Sequence, residues 1–211
     1  MDTICVAEQR QIEAKQSERF RAIYEDSFPP HERAEFSSLA SGIASGARWL
    51  YTASRDDALL GFAILVPYIA RDTHLLEYLA VARDARGGGI GGVLLRRIVD
   101  ATRGNGNIAG IMLEVEHDEE GTADARALRQ RRIAFYARHG ARVVDGAPNY
   151  RVPLSNRAGT MRMKLLWLPV AANSAAPRGD KLRECVAGIF EKSYGICNGE
   201  LLRKVLHDVT N

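Results

Sequence analysis

The sequence predicts an α/β fold, a mixed and mostly antiparallel twisted sheet of about six to seven strands with helices on its faces and a helical C-terminal tail. Three features predict it: two β-rich runs flanking a turn signal at 48–68, a strand followed by a glycine cluster and a helix at 74–103, and strand–helix–strand order at 108–144. The first makes an antiparallel hairpin. The other two require a central parallel pair, because strands joined through a crossover helix run the same way.

Taken in order, Thr3–Val6 is a short apolar stretch. Ser17 is a candidate N-cap for a helix carrying Phe20, Ile23 and Tyr24, which Phe28-Pro29-Pro30 must end. Glu32 to Ser41 reads as a second short helix. RWLYTAS and LLGFAILVPY, joined at Arg55-Asp56-Asp57, form the hairpin, and His74–Val81 a third strand. The glycines at 87–92 open a helix with Val93, Leu94, Ile98 and Val99 inward, closed by Gly104-Asn105-Gly106-Asn107. Ile108–Val115 is a strand, Asp124–His139 a helix bearing Leu128, Ile133, Phe135 and Tyr136, and Gly140 its C-cap. Ala141–Val144 and Arg162–Leu168 close the sheet around an irregular stretch, Tyr150–Gly159. The domain boundary falls at 168; beyond it VAANSAAPRGD is a linker, and Leu182–Phe190 and Leu201–Val209 are amphipathic helical segments.

At 211 residues the chain fits one domain, 1–168, with an extension, 169–211. Hydrophobic residues at 46% and charged residues at 26% exclude a disordered, collagen-like or coiled-coil chain. The net charge of +3, from 29 basic and 26 acidic residues, is too small for a nucleic-acid or membrane-surface footprint. Cys5, Cys185 and Cys197, odd in number and without C-x-x-C spacing, predict neither a disulfide framework nor a metal site, and fit a reducing cytoplasm. The N-terminus lacks a basic region followed by an apolar one, and the longest apolar run, 59–66, is far short of the ~20 residues that span a bilayer.

The segment Arg86-Gly87-Gly88-Gly89-Ile90-Gly91-Gly92 carries the chemistry. Between a strand and a helix, it faces the helix's free N–H groups and positive dipole end, which favour an anion; glycines let a diphosphate approach the amides closely. Gly87, Gly89 and Gly92 also satisfy the dinucleotide pattern G-x-G-x-x-G. That reading requires the first βαβ unit and further crossovers, whereas these glycines lie mid-chain after a hairpin.

The same segment resembles motif A of the GNAT acetyltransferase superfamily, Gln/Arg-x-x-Gly-x-Gly/Ala opening a helix after a strand, which Arg86, Gly89 and Gly91 match. The resemblance runs from Arg48 to Leu168: ILVPY, LAV before the loop, MLEVE, IAFYARHGARVV as the tyrosine-bearing helix and next strand, and RMKLLWL. Ser27-Phe28-Pro29-Pro30-His31-Glu32-Arg33 is also similar to an N-terminal segment of some members. The resemblance implies the acyl-CoA N-acyltransferase fold and acetyl-CoA as donor. Its diphosphate would lie on the backbone of Gly87–Gly92, Gly88 and Ile90 included, and its pantetheine arm would pair with backbone at Leu79 and Val81, where a bulge splays two strands. No Asn follows MLEVE where the family often has one.

Acetylation of an amine needs a base for the ammonium and a hydroxyl acid for the departing thiolate, with no protein nucleophile. By the resemblance Tyr136 is the hydroxyl. Strand alternation puts Glu77 on one face with Leu79, and the resemblance, which places a base at both positions, implies Glu77 as the first choice of base and Glu114 as the second. Glu116 alternates onto the side of Glu114. His117 and Asp118 read as exposed loop residues at the cleft mouth, His74 and His139 as surface or cap residues, and the cysteines as bystanders. The expected partner is a small-molecule, peptide or protein amine, its specificity set by 17–45, 150–159 and the tail, with no nucleic acid and no membrane. Amphipathic tail helices raise a homodimer. Two rivals are a non-catalytic acyl-CoA-binding sensor and an enzyme using a longer acyl donor.

Overall fold

The computed structural model describes residues 4–104, 106–155, 158–172 and 174–210; Thr3, Asn105, Asn156, Arg157 and Asn173, which fall within segments read above, lie outside them. In chain order the elements are β1 (Cys5–Gln9), α1 (Ser17–Ser27), α2 (Phe36–Ala44), β2 (Trp49–Arg55), β3 (Ala58–Ala70), β4 (Thr73–Val81), α3 (Ile90–Gly104) and β5 (Gly110–Glu116). There follow α4 (Ala123–Arg138), β6 (Arg142–Val143), β7 (Arg151–Pro153), β8 (Thr160–Pro169), α5 (Gly179–Tyr194) and α6 (Glu200–His207). The fold is mixed α/β: an eight-stranded, mostly antiparallel sheet with one parallel pair, in the order β1-β2-β3-β4-β5-β8-β6 with β7 on β8. The strand count exceeds the six to seven expected, because β7 is a three-residue strand inside the stretch read as irregular.

The chain forms two compact units, one comprising 1–67, 76–104 and 155–157, the other 68–75, 105–154 and 158–211. In the first, β1, β2 and β3 pair antiparallel, from Cys5 opposite Ser54 to Trp49 opposite Leu65. Asp56 and Asp57 take φ of 47° and 65°, the left-handed pair that a two-residue hairpin turn requires. Phe20, Ile23 and Tyr24 of α1 and Leu39 and Ile43 of α2 pack with Leu50, Phe62, Ile64 and Tyr78; Phe20 stacks on Phe62 at 4.1 Å between centroids. Two boundaries differ from expectation. A 3-10 turn, Ala14–Gln16, runs straight into α1, so Gln16 is the N-cap and Ser17 is already helical. The second helix begins at Phe36 rather than Glu32. The segment before it is committed elsewhere: the backbone N–H of Glu32 donates to Pro29 O and that of Ala34 to the Tyr78 hydroxyl, and the Arg33 guanidinium donates to the carbonyls of Glu25 and Phe28.

In the second unit β5 and β8 pair antiparallel along their length, from Gly110 opposite Pro169 to Glu116 opposite Met163, and β6 and β7 also pair with β8. Thr122 caps α4, its hydroxyl accepting from Ala125 N–H at 3.3 Å. Of the apolar α4 residues named from sequence only Tyr136 is buried, and Leu128 is exposed. Helix α5 is a core element of this unit: Leu182, Cys185, Val186, Ile189 and Phe190 are fully buried. A Cβ on Gly188 would lie 1.7 Å from the Ile69 carbonyl oxygen, so the helix meets the chain backbone to backbone. Leu202 and Val205 of α6 are likewise buried, which accounts for the tail's amphipathic pattern within the chain.

Candidate active site

In the first unit, β4 delivers the loop. Alternation along it buries Leu76, Tyr78 and Ala80 and leaves Glu77, Leu79 and Val81 half-buried on the other face. Strand β3 approaches closely: a Cβ on Gly61 would lie 2.6 Å from Ala80 O, and Ala82 N–H donates to Leu60 O at 2.8 Å. After β4 a 3-10 turn, Arg83–Ala85, leads to the glycines. Gly87, Gly88 and Gly89 are exposed, while Ile90 and Gly92 are buried as α3 begins. Gly87 and Gly89 have φ of +86° and +75°, with open space where a Cβ would stand. Glycine is therefore required there by backbone conformation and not by crowding. The first intrahelical bond runs from Val93 N–H to Gly89 O at 3.1 Å, so the N–H groups preceding Val93 have no acceptor within the helix and lie beside an exposed backbone.

Arg86 is engaged within the protein. Its guanidinium donates to Val81 O at 3.1 Å and to Asp26 Oδ2 at 2.9 Å, and Arg83 donates to Asp26 Oδ1 at 2.6 Å. Arg19 on α1 grips Asp84 through two bonds, of 2.6 and 2.8 Å. These half-exposed pairs contribute about 1 kcal/mol each at most, and their value is geometric: α1 fixes the start of the loop.

Glu77 is gripped as well. Arg48 Nε donates to Oε2 at 2.6 Å and Arg48 Nη2 to Oε1 at 2.8 Å, both side chains nearly buried. Burial works against the Arg48 charge, but hydrogen bonding and attraction from Glu77 outweigh it and raise its pKa. Both carboxylate oxygens are thus engaged by a charged fork, the strongest pairing a carboxylate makes with a side chain.

In the second unit β5 presents Glu114 and Glu116 on one face. Tyr150 hydroxyl donates to Glu114 Oε1 at 2.6 Å and Tyr194 hydroxyl to Oε2 at 3.1 Å. Burial, then the adjacent Glu114 charge, pushes the Tyr150 hydroxyl pKa well up. Glu116 accepts from Arg129 at 2.8 Å and Arg132 at 2.9 Å, which fastens α4 to β5. That fastening orients Tyr136 one turn further along α4. Tyr136 is 8% exposed, and burial raises its pKa to about 12 against the opposing charge of Arg132. Among the described residues no hydrogen bond engages its hydroxyl.

The histidines correct the sequence reading. His117 is buried, 5% exposed, and its pKa is lowered by burial and then by Arg162 and Lys164; Asp118 pairs with Lys164. Strand β8 covers this end of β5, with Arg162 O accepting from His117 N–H at 3.2 Å, so neither residue is a free loop side chain. His74 is fully buried, its Nδ1 accepting from Tyr68 N–H at 3.0 Å. His139 is the C-cap of α4, the position expected of Gly140, which follows it at φ +92°. Cys185 is buried, and Cys5 and Cys197 are exposed; all three are free. Among the described residues no helix is long and apolar enough to cross a membrane, and no group of three His, Cys, Asp or Glu is placed to hold a metal. Sequence reasoning missed Arg48, Asp26, Tyr150 and Tyr194, whose partners lie 29 to 80 residues away and leave no spacing signal.

A family model described as acetyltransferase (GNAT) family matches residues 15–141. Comparison with curated proteins gives no match. Among solved structures, a protein of Bacteroides thetaiotaomicron described as a GNAT-family acetyltransferase is 22% identical, with 90% of this chain and 99% of that one covered and a TM-score of 0.69. The ribosomal-protein-S18-alanine N-acetyltransferase of Escherichia coli is 20% identical, covering 82% and 100%, TM-score 0.53. A GNAT family acetyltransferase of Elizabethkingia anophelis with acetyl-CoA bound is 16% identical, covering 80% and 99%, TM-score 0.54. At these identities the solved structures establish a shared fold.

Proposed function

The chain belongs to the GNAT acetyltransferase family, and on that premise we propose that it transfers an acetyl group from acetyl-CoA directly to a primary amine. The observation that carries the reading is the loop Gly87–Gly92, exposed at Gly87–Gly89: two glycines at positive φ and a helix N-terminus make a cradle of backbone donors suited to a diphosphate. The acetyl-CoA in the Elizabethkingia structure and the protein substrate named for the Escherichia coli enzyme support donor and acceptor class. Backbone at Leu79 and Val81 would receive the pantetheine arm. Arg86 serves as a brace for the loop. Free cysteines suit a reducing compartment, and we assign the cytoplasm.

In this reading Glu114 is the base and Glu77 is not. The two phenols that donate to Glu114 bring no countercharge, whereas the Arg48 fork neutralises Glu77. Glu114 takes a proton from the acceptor ammonium; the freed amine nitrogen bonds to the thioester carbonyl carbon; the carbon–sulfur bond breaks, and the electron pair leaves on sulfur. Tyr136 donates a hydrogen bond to that sulfur. With its pKa at about 12 against ~8.5 for an ordinary thiol, full proton transfer to the thiolate is uphill, so Tyr136 stabilises the thiolate and remains a phenol. The nitrogen, which carries two protons after bonding to carbon, gives one to solvent and keeps the other as the amide N–H. The acidic strand β5 favours a cationic amine.

Engagement of Glu77 by Arg48 is the one observation that favours a non-catalytic acyl-CoA-binding module. The test is CoA thiol release from acetyl-CoA over a panel of polyamines, aminoglycosides and peptides, with Glu114→Gln beside the native chain. Amine-dependent release lost in Glu114→Gln is expected. Acetyl-CoA binding without release on any amine would favour the sensor.

A further inference from the structure

Glu114 is held by two tyrosines that both lie beyond residue 141, outside the part of the chain that matches the family. Their positions differ in kind. Tyr150 is fully buried and its bond to Oε1 is short, at 2.6 Å, while Tyr194, the last residue of α5, is half-buried and its bond to Oε2 is 3.1 Å. Phe190, one turn earlier on α5, packs against both rings, with centroids 6.4 Å from Tyr150 and 5.7 Å from Tyr194. Among the described residues, this face also carries Met112 and Glu116, the latter paired to Arg129 and Arg132, and, across the β5–β8 pairing, Met163, Leu165 and Trp167.

We infer that Tyr150 and Tyr194 are positioning residues for Glu114, Tyr150 fixing the carboxylate through Oε1 and Tyr194 holding Oε2 until an acceptor ammonium displaces it. The C-terminal extension thereby completes the base and, at Tyr194, borders the oxygen that meets the acceptor. This rests on the reading of Glu114 as base. Hydrogen bonds donated by the two phenols favour the ionised carboxylate, so loss of either moves its titration upward in pH.

The test uses the full chain labelled with [13C]glutamate, the side-chain carboxyl signal of Glu114 assigned by its absence in Glu114→Gln and followed against pH. In Tyr194→Phe, which keeps the ring, the Glu114 midpoint rises by about 1 pH unit. The same rise in Tyr150→Phe, with melting curves showing both variants folded, supports the two-phenol arrangement. A midpoint unmoved in Tyr194→Phe overturns the inference, because ring packing alone does not shift a carboxyl titration. Thiol release separates the two readings: Glu114→Gln retaining full turnover removes the base assignment, and with it this inference. An inactive Glu114→Gln with an unmoved Tyr194→Phe titration removes the inference alone.

Discussion

Among single side chains, the contrast between Glu77 and Glu114 shows what sequence can and cannot say. Alternation along β4 and β5 places both carboxylates on half-buried faces, and that was legible from period alone. Their partners were not, since Arg48 reaches Glu77 from 29 residues away and Tyr194 reaches Glu114 from 80. Tyr136 was legible from its helix and the Phe-Tyr-x-x-x-Gly pattern; its burial and raised pKa were not. Tyr136→Phe removes only the hydroxyl, so it should lower kcat about 100-fold while leaving the Kd for acetyl-CoA unchanged, measured by thiol release and calorimetry. A kcat within a few-fold of native would assign Tyr136 to packing.

Secondary elements were most legible where the signal is local: the β2–β3 hairpin with its Asp-Asp turn, the glycine-opened α3 and the capped α4. Strand β7 escaped because three residues ending in proline carry no period, and α2 starts late because 29–34 is committed to turn and side-chain contacts. Helix α5 was legible as amphipathic, but its depth was not. Only the structure shows Gly188 against the Ile69 carbonyl, where a methyl group has no room. Gly188→Ala should lower the melting temperature by about 5 °C or more, through overpacking that neither backbone can relieve. An unchanged melt would mean that α5 shifts freely.

For the chain as a whole, composition and charge bounded the class and the loop pointed to the family, while part of the stability against pH comes from a residue read as superficial. His74 is fully buried with its pKa lowered by burial from 6.5 to about 4. The folded value lies below the unfolded one, so the unfolded chain takes up the proton first. Stability therefore falls as pH drops below about 6.5 and levels off under about 4, by about 3 kcal/mol at most. His74→Gln, which keeps an acceptor for Tyr68 N–H, should flatten the fall in melting temperature over that window. An unaltered slope would place the acid sensitivity in other groups.

The central claim, that the loop at Gly87–Gly92 holds the donor, is tested most directly by calorimetric titration with acetyl-CoA of the native chain and of Gly89→Glu. A glutamate there faces the strain of φ +75° and sets a negative charge against the diphosphate. Saturable binding by the native chain and none by the folded variant is the predicted result; equal binding by both, or none by either, would contradict it.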